Sequence, residues 1–446
     1  MNSTTDFTTM KKGFTLDQAM VEAERCLLCH DAPCSKGCPA DTDPGTFIRK
    51  LRMKNVTGAI RTIKSKNILG GACGVLCPTE RLCEKECCAC GIGRPIEIGK
   101  IQRALIEHSW QRNLKVLSTA EQTKEKIAVI GSGPAGLSCA ATLAIAGYQV
   151  TIFEARPEPG GVIRYGVPAY RFDKNFFAHE LADIEALGVK ILCNQRIDGQ
   201  GEVEQLLQTG FSAVFLATGL WGATQLHPEA ETANGVFSSV EFLANARSTS
   251  HEVMRTTCEG KKVAVIGGGS VALDCAESAL KLGAEDVYLV YRRSFSQMPA
   301  EEDERMEALA AGVHFLLLNQ PVEFIVDDKQ QLEGLKLVRT QLAGMDSSGR
   351  RAAEMIAGSE WTLPVDIAIE AIGNRAETDS PTWYPHVQVD ADNLVLVDPE
   401  TYQTAVEGIF AGGDIVRGPA LVVQAVEDGK KAAVAIQAFL SGKESS

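Results

Sequence analysis

Ten of the 14 cysteines fall in the first ninety residues, and seven of them are spaced to hold metal. The run Cys26-x2-Cys29-x4-Cys34-x3-Cys38-Pro39 is answered some forty residues later by Cys77-Pro78, Cys83 and Cys87. Thiolates this close together can surround an iron-sulfur cube if the backbone folds around it, and a Pro after the last ligand recurs in ferredoxin-like sites. The chemistry this predicts is one-electron transfer through two [4Fe-4S] clusters. In two-cluster ferredoxins the fourth Cys of such a run serves the other cluster. Cys26, Cys29 and Cys34 are therefore expected on one cube, with Cys38 beginning the other, and the second block must complete both.

Two other uses of cysteine fit less well. Zinc sites come as closed sets of four with paired spacing, whereas these seven are interlocked with two Cys-Pro steps. Disulfides need an oxidising compartment. The opening stretch mixes Lys11, Lys12, Asp17 and Glu22 without an apolar core, which reads as no signal peptide and a cytoplasmic location. Cys73, Cys88 and Cys90 are surplus to the pattern, and the scattered Cys139, Cys193, Cys258 and Cys275 read as small buried apolar residues.

A second chemistry is written in glycines. The apolar stretch Ile127–Ile130 leads into Gly131-Ser132-Gly133-Pro134-Ala135-Gly136, an apolar helix follows, and the next strand ends on Glu154. Glycines permit the tight turn and the close approach of a pyrophosphate, the helix N-terminus stabilises its charge, and the acid takes a ribose hydroxyl. The pattern returns at Val263–Ile266 with Gly267-Gly268-Gly269-Ser270-Val271-Ala272, but the following strand ends on Arg292-Arg293. Two guanidinium groups suit a 2′-phosphate. The first site is thus expected to take FAD and the second NADPH. Near the C-terminus, Gly412-Gly413-Asp414 ends another apolar stretch, where an acid can bond the flavin's polyol and the helix behind it can stabilise charge on the ring.

The elements that must position these groups follow from the same spacings. Thr15 is placed to cap a helix through Arg25, and Asp43-Pro44-Gly45 to start another through Leu51. The expected fold class is α/β with an N-terminal all-α iron-sulfur domain and two Rossmann-like domains, the second nucleotide domain being inserted in the first. Expected limits are 1–112 for the cluster domain, 113–249 and 370–446 for the FAD domain, and 250–369 for the NAD(P)H domain. A net charge of -13 argues against non-specific nucleic-acid binding, and no apolar run is long enough to span a bilayer.

Through Cys26-Leu27-Leu28-Cys29-His30-Asp31-Ala32-Pro33-Cys34, Cys77-Pro78-Thr79-Glu80 and the glycine motifs, the chain resembles the N-terminal half of dihydropyrimidine dehydrogenases and the flavin subunit of their bacterial two-subunit form. The glutamate synthase small subunit and the large subunit of NADH-dependent ferredoxin:NADP oxidoreductase are similar. The resemblance implies an electron-input subunit with NAD(P)H, FAD and two [4Fe-4S] clusters. It implies Cys26, Cys29, Cys34 and Cys87 on one cluster and Cys38, Cys77, Cys83 and Gln102 on the other, although Gln102 lies one residue closer to Cys87 than in the long eukaryotic form. It also implies FAD contacts from Gly161, Val162 and Arg171.

Pyrimidine reduction in that family is done on an FMN barrel, and the sequence ends at Ser446 directly after the FAD domain. An FMN-containing catalytic subunit in a hetero-oligomer is therefore the expected partner. The resemblance to the bacterial subunit implies NADH, while Arg292 and Arg293 favour NADPH. Hydride transfer to the flavin needs orientation more than acid-base groups, so no catalytic side chain is expected. The alternatives are a glutamate synthase or ferredoxin-coupled subunit, and a scaffold that only docks cofactors.

Overall fold

A computed structural model describes residues 10–226, 233–248, 251–346 and 349–444. The boundary expected at 249/250 and the terminal Ser446 lie outside the described residues. The chain divides into two compact units, one of residues 165–170 and 221–374, the other of 10–164, 171–220 and 375 onwards.

The larger unit begins with helices that are short and locally specified. Thr15 caps Leu16–Glu24 in a capping box with Gln18, and Asp43 caps Pro44–Arg52 by accepting from the Thr46 amide. Val56–Lys66, Gly70–Leu76 and Ile98–Gln111 complete the set. The apolar faces of all but Gly70–Leu76 meet in one core, with Phe47, Ile48, Leu51, Ile60, Ile63, Ile101 and Leu105 in it and Cys83 and Cys87 beside them. Gly74 lets two of these helices touch, because a Cβ there would lie 2.9 Å from the Arg103 amide.

The same unit carries a five-stranded parallel sheet in the order Ile409–Ala411, Ala213–Leu216, Lys126–Ile130, Gln149–Phe153, Lys190–Leu192. Its central strands are buried on both faces, as a parallel sheet covered by helices requires. The order places the C-terminal strand beside Ala213–Leu216, so chain segments before and after residues 221–374 build one sheet. The helices Pro134–Ile145 and Val422–Glu444 cross where a Cβ on Gly429 would stand 2.2 Å from the Ala135 carbonyl oxygen.

The smaller unit repeats the plan. Its parallel sheet runs Val236–Ser238, Ile367–Glu370, Lys262–Ile266, Asp286–Tyr291, His314–Leu317. An antiparallel group formed by Asn319–Val326, Leu332–Met345, Arg351–Met355 and Trp361–Pro364 is added. Residues 236–247, assigned above to the tail of the first FAD segment, instead belong with this unit. The strand Val236–Ser238 pairs with Ile367–Glu370, and Phe242, Leu243 and Ala246 of the helix Ser239–Arg247 enter its core. A pairing with a strand some 130 residues later leaves no trace in local spacing. Among the described residues no helix is long and apolar enough to cross a membrane.

Candidate functional site

Cys26, Cys29, Cys34 and Cys87 line one small cavity together with Cys88, Pro33, Ile48, Ile96 and Ile98. Leu28 makes this possible by turning through the left-handed region (φ 54°), which bends the chain between Cys26 and Cys29. Two arginines of Pro44–Arg52 hold the turn from outside: Arg52 donates to the Cys26 carbonyl at 2.7 Å and Arg49 to that of Cys29 at 3.3 Å. Ser35 ties the next turn to the same helix, donating to Asp43 and accepting from the Gly45 amide. The Ile96 amide donates to the Cys87 sulfur at 3.5 Å.

Burial and the neighbouring Cys87, Cys26 and Cys29 thiols push Cys34 up to about 12. Such a group is a poor thiolate by itself, and only bound cations would ionise it. A second set gathers Cys38, Cys77 and Cys83, whose charges act on one another. Cys83 also lies within reach of Cys34, so the two sets are neighbours. All 14 cysteines are free, and among the described residues no three His, Cys, Asp or Glu side chains converge on a single metal ion. Thiols spread around a volume fit a cube better than a lone zinc.

Gln102 is buried, and its Nε2 donates to the Gly70 carbonyl at 2.6 Å, which fixes the amide and leaves Oε1 as its ligand end. The surplus cysteines separate. Cys88 is exposed and hydrogen-bonds Cys29, whereas Cys73 is buried against Cys77 and Cys38. Sequence reasoning missed Glu180, which is 1 % exposed and accepts from the Gly71 amide at 2.7 Å and the Ala72 amide at 3.1 Å. It fixes the start of the helix that leads to Cys77. Burial raises its carboxyl well above the usual range, and the two amides oppose that rise.

In the first nucleotide turn, Gly131 has φ 98°, and a Cβ there would stand 2.4 Å from the Ala217 carbonyl oxygen. Gly136 packs against the Gly131 carbonyl, and Gly161 against the Gly133 backbone, while Gly133 itself faces open space. Pro134 and Ala135 begin the helix behind this turn. Glu154 is buried, with one oxygen accepting from the Ser132 amide and hydroxyl and the other from the Arg156 amide at 2.8 Å. A carboxylate has about four lone-pair sites, so acceptor capacity remains for a ribose hydroxyl. Val162 is exposed and Arg171 half-buried.

Gly413 (φ 78°) donates its amide to Asp428 at 3.0 Å. Asp428 also binds Arg417 and the Tyr402 hydroxyl, and it was not foreseen. Burial, with the Asp428 charge adding to it, pushes Asp414 up to about 7. The folded, cofactor-free chain therefore holds a proton that the unfolded chain releases near 3.8. Stability should fall as pH rises from about 4 to about 7 and level off above. Melting curves of flavin-free protein across that window should show a shallower slope for Asp414→Asn, and an unchanged slope would refute the assignment.

In the second turn, Gly267 lies against the Ala371 carbonyl and Gly268 against the Tyr291 ring, a Cβ on Gly269 would meet only Pro299 at 3.8 Å, and Ala272 is buried beside Gly267. The expected pair of arginines is split. Arg293 is 4 % exposed, with its guanidinium turned inward to Asp346 and the Arg351 carbonyl. Arg292 is left at the surface, where its carbonyl accepts from Thr340.

This pairing of a flavin-type and a nicotinamide-type nucleotide fold defines a pyridine-nucleotide oxidoreductase. The chain belongs to the pyridine nucleotide-disulphide oxidoreductase family, whose description matches residues 125–429. Residues 3–114 match dihydropyrimidine dehydrogenase domain II, 4Fe-4S cluster. The chain is 37% identical over 428 residues to the NAD-dependent dihydropyrimidine dehydrogenase subunit PreT homolog of Salmonella typhi, covering 96% of both chains. It is 32% identical over 446 residues to the glutamate synthase [NADPH] small chain of Escherichia coli K12, covering 98% of this chain and 94% of that one. Mycobacterium tuberculosis FprA in complex with NADPH shares the fold at TM-score 0.60 and 21% identity, over 72% of this chain and 86% of FprA. The protein is accordingly an oxidoreductase that works with FAD, a nicotinamide nucleotide and 4Fe-4S chemistry.

Proposed function

We propose that the chain is the electron-input subunit of a dihydropyrimidine dehydrogenase, oxidising NAD(P)H and passing electrons to an FMN-containing partner that reduces uracil or thymine. The observation that carries this is the gathering of seven thiols into two neighbouring sets, with a pinned glutamine amide on the helix beside the second. Cys26, Cys29, Cys34 and Cys87 would hold one cluster, and Cys38, Cys77, Cys83 and Gln102 the other. FAD, when bound, accepts hydride and releases electrons singly. The residues do the rest: the glycine turns admit the pyrophosphates, Glu154 and Asp414 orient the ribose and polyol, and Val162 and Arg171 flank the flavin.

The packing suggests a direction. The second thiol set lies next to Glu180 and Lys430, on helices of the flavin half, while the first has the exposed Leu27, Leu28 and Cys88 at its rim. Electrons would enter at the second set and leave from the first. Isolated, the protein should reduce artificial dyes with NAD(P)H and leave uracil untouched, and adding the FMN subunit should bring in pyrimidine reduction. Uracil reduction by the chain alone would sink the subunit reading. The match to a glutamate synthase small chain supports a second reading, in which the chain feeds electrons to a glutamate synthase partner instead; pairing assays with each partner type separate the two.

For the nicotinamide we favour NADPH, with Arg292 as the 2′-phosphate partner. Arg292→Glu should raise KM for NADPH at least tenfold and leave that for NADH nearly unchanged, since one charge-assisted hydrogen bond is worth roughly 1.5–3 kcal/mol. Arg293→Glu should instead destabilise the unit by about 3–5 kcal/mol, because it sets a buried carboxylate beside the half-buried Asp346. Equal KM effects on both nucleotides in Arg292→Glu would show a merely solvated strand end.

A further inference from the structure

We propose that Lys430 is a positioning residue for electron transfer, anchoring the Cys38 loop to the flavin-domain helices and setting the potential of the second cluster with an uncancelled positive charge. The inference rests on the reading of Cys38, Cys77 and Cys83 as one ligand set. Lys430 belongs to none of the motifs that identify the nucleotide or cluster sites.

The geometry begins with Gly429, whose backbone lies against the Ala135 carbonyl and the Cys139 amide of the flavin-domain helix Pro134–Ile145. The next residue, Lys430, points the other way and donates its Nζ to the carbonyl of Ala40, two residues beyond Cys38. Consecutive positions of one helix thus touch the nucleotide helix and the cluster loop. Thr42 and Asn67 brace that loop from beneath, since Thr42 bonds the Cys38 sulfur at 3.3 Å and Asn67 bonds Thr42 at 3.2 Å.

The charges around Lys430 sort themselves in a telling way. Asp41 pairs with Lys66 at 2.8 Å, Glu427 with Lys431 at 2.5 Å, and Asp428 with Arg417. Each nearby acid therefore already has its own cation, while Lys430 bonds a neutral carbonyl. Its charge is left to act on the thiols, and both Cys38 and Cys73 lie within its field. Burial and Lys66 lower the ammonium's pKa, and Asp41, Cys38 and Glu427 oppose that. Adding an electron to a cluster adds one negative charge there. Cluster potentials follow net charge, hydrogen bonding and exposure, so a half-buried cation beside Cys38 favours the reduced state.

The test is an anaerobic redox titration followed by EPR on the full-length, cluster- and FAD-loaded protein. Lys430→Gln keeps a donor for Ala40 and removes the charge. It should lower the electron affinity of one cluster about tenfold, or about 59 mV for a one-electron couple, and leave the other unmoved. Lys430→Arg should restore the wild-type value. A purely structural role would not distinguish glutamine from arginine in this way. Lys66→Gln, at an exposed site, frees the Asp41 charge beside the same loop and should shift the same cluster in the same direction. Unchanged potentials in Lys430→Gln, or equal shifts of both clusters, overturn the proposal. If Lys430→Gln fails to retain its clusters, an unshifted Lys66→Gln overturns it instead. A wild type lacking two separable cluster signals would defeat the ligand reading itself, which the variants do not address.

Discussion

Cys34→Ser should reduce bound iron from about eight to about four atoms per chain, the difference of one cube, while flavin content stays near one. Cys34 sits in the middle of its set, acted on by Cys87, Cys26 and Cys29, and in the absence of metal its thiol is pushed up to about 12. A serine hydroxyl there is far harder to ionise and gives iron a weaker ligand. The flavin turn is built on a different core, around Ala128, Val214, Leu216 and Ile409, so it should survive. Delivery of electrons to the partner subunit should fall at least a hundredfold, because the remaining cube no longer has its exit. Cys73→Ser is the informative companion. Cys73 is buried beside Cys77 and Cys38, but Gln102 occupies the fourth ligand position in our reading, so both cubes should remain. Iron loss in Cys73→Ser would make that thiol the fourth ligand and remove Gln102 from the site.

Gly429→Ala should weaken FAD binding, although residue 429 lies in the middle of a helix where alanine is intrinsically favoured. A Cβ would stand 2.2 Å from the Ala135 carbonyl oxygen and 2.9 Å from the Cys139 amide, and neither is a flexible side chain that can step aside. The helix Val422–Glu444 is also pinned on both sides of the clash. Asp428 holds the Gly413 amide and Arg417, and Lys430 holds the Cys38 loop. Overpacking of this kind costs about 1–3 kcal/mol and sometimes more. If the helices separate to relieve it, the shift falls on Gly413 and Asp414, so FAD affinity should drop by roughly 5- to 150-fold at about 1.4 kcal/mol per decade. Gly442→Ala, where an added Cβ would meet nothing within 4 Å, should leave affinity and melting temperature unchanged or slightly raised. Full flavin occupancy in Gly429→Ala would show that the crossing is looser than it looks.

The sequence alone determined what depends on short-range order. Cys26 to Cys38 and the two glycine turns mark a 4Fe-4S domain and two nucleotide folds because their chemistry requires fixed local spacing. Thr15 and Asp43 foretold helix starts because a cap acts within three residues.

Tertiary structure decided which cysteines share a set, since Cys87 must return some fifty residues to meet Cys34, and no periodicity records that closure. It also decided that Arg293 turns inward while Arg292 does not, because the partner, Asp346, arrives on a distant strand end. Residues 236–247 joined the inserted unit for the same reason, a strand pairing of long sequence separation. Glu180, Asp428 and Lys430 were invisible as charged residues on helices, where a solvated face is the ordinary expectation. Only packing buried or half-buried them and supplied the amides, guanidinium and carbonyl that give each its role.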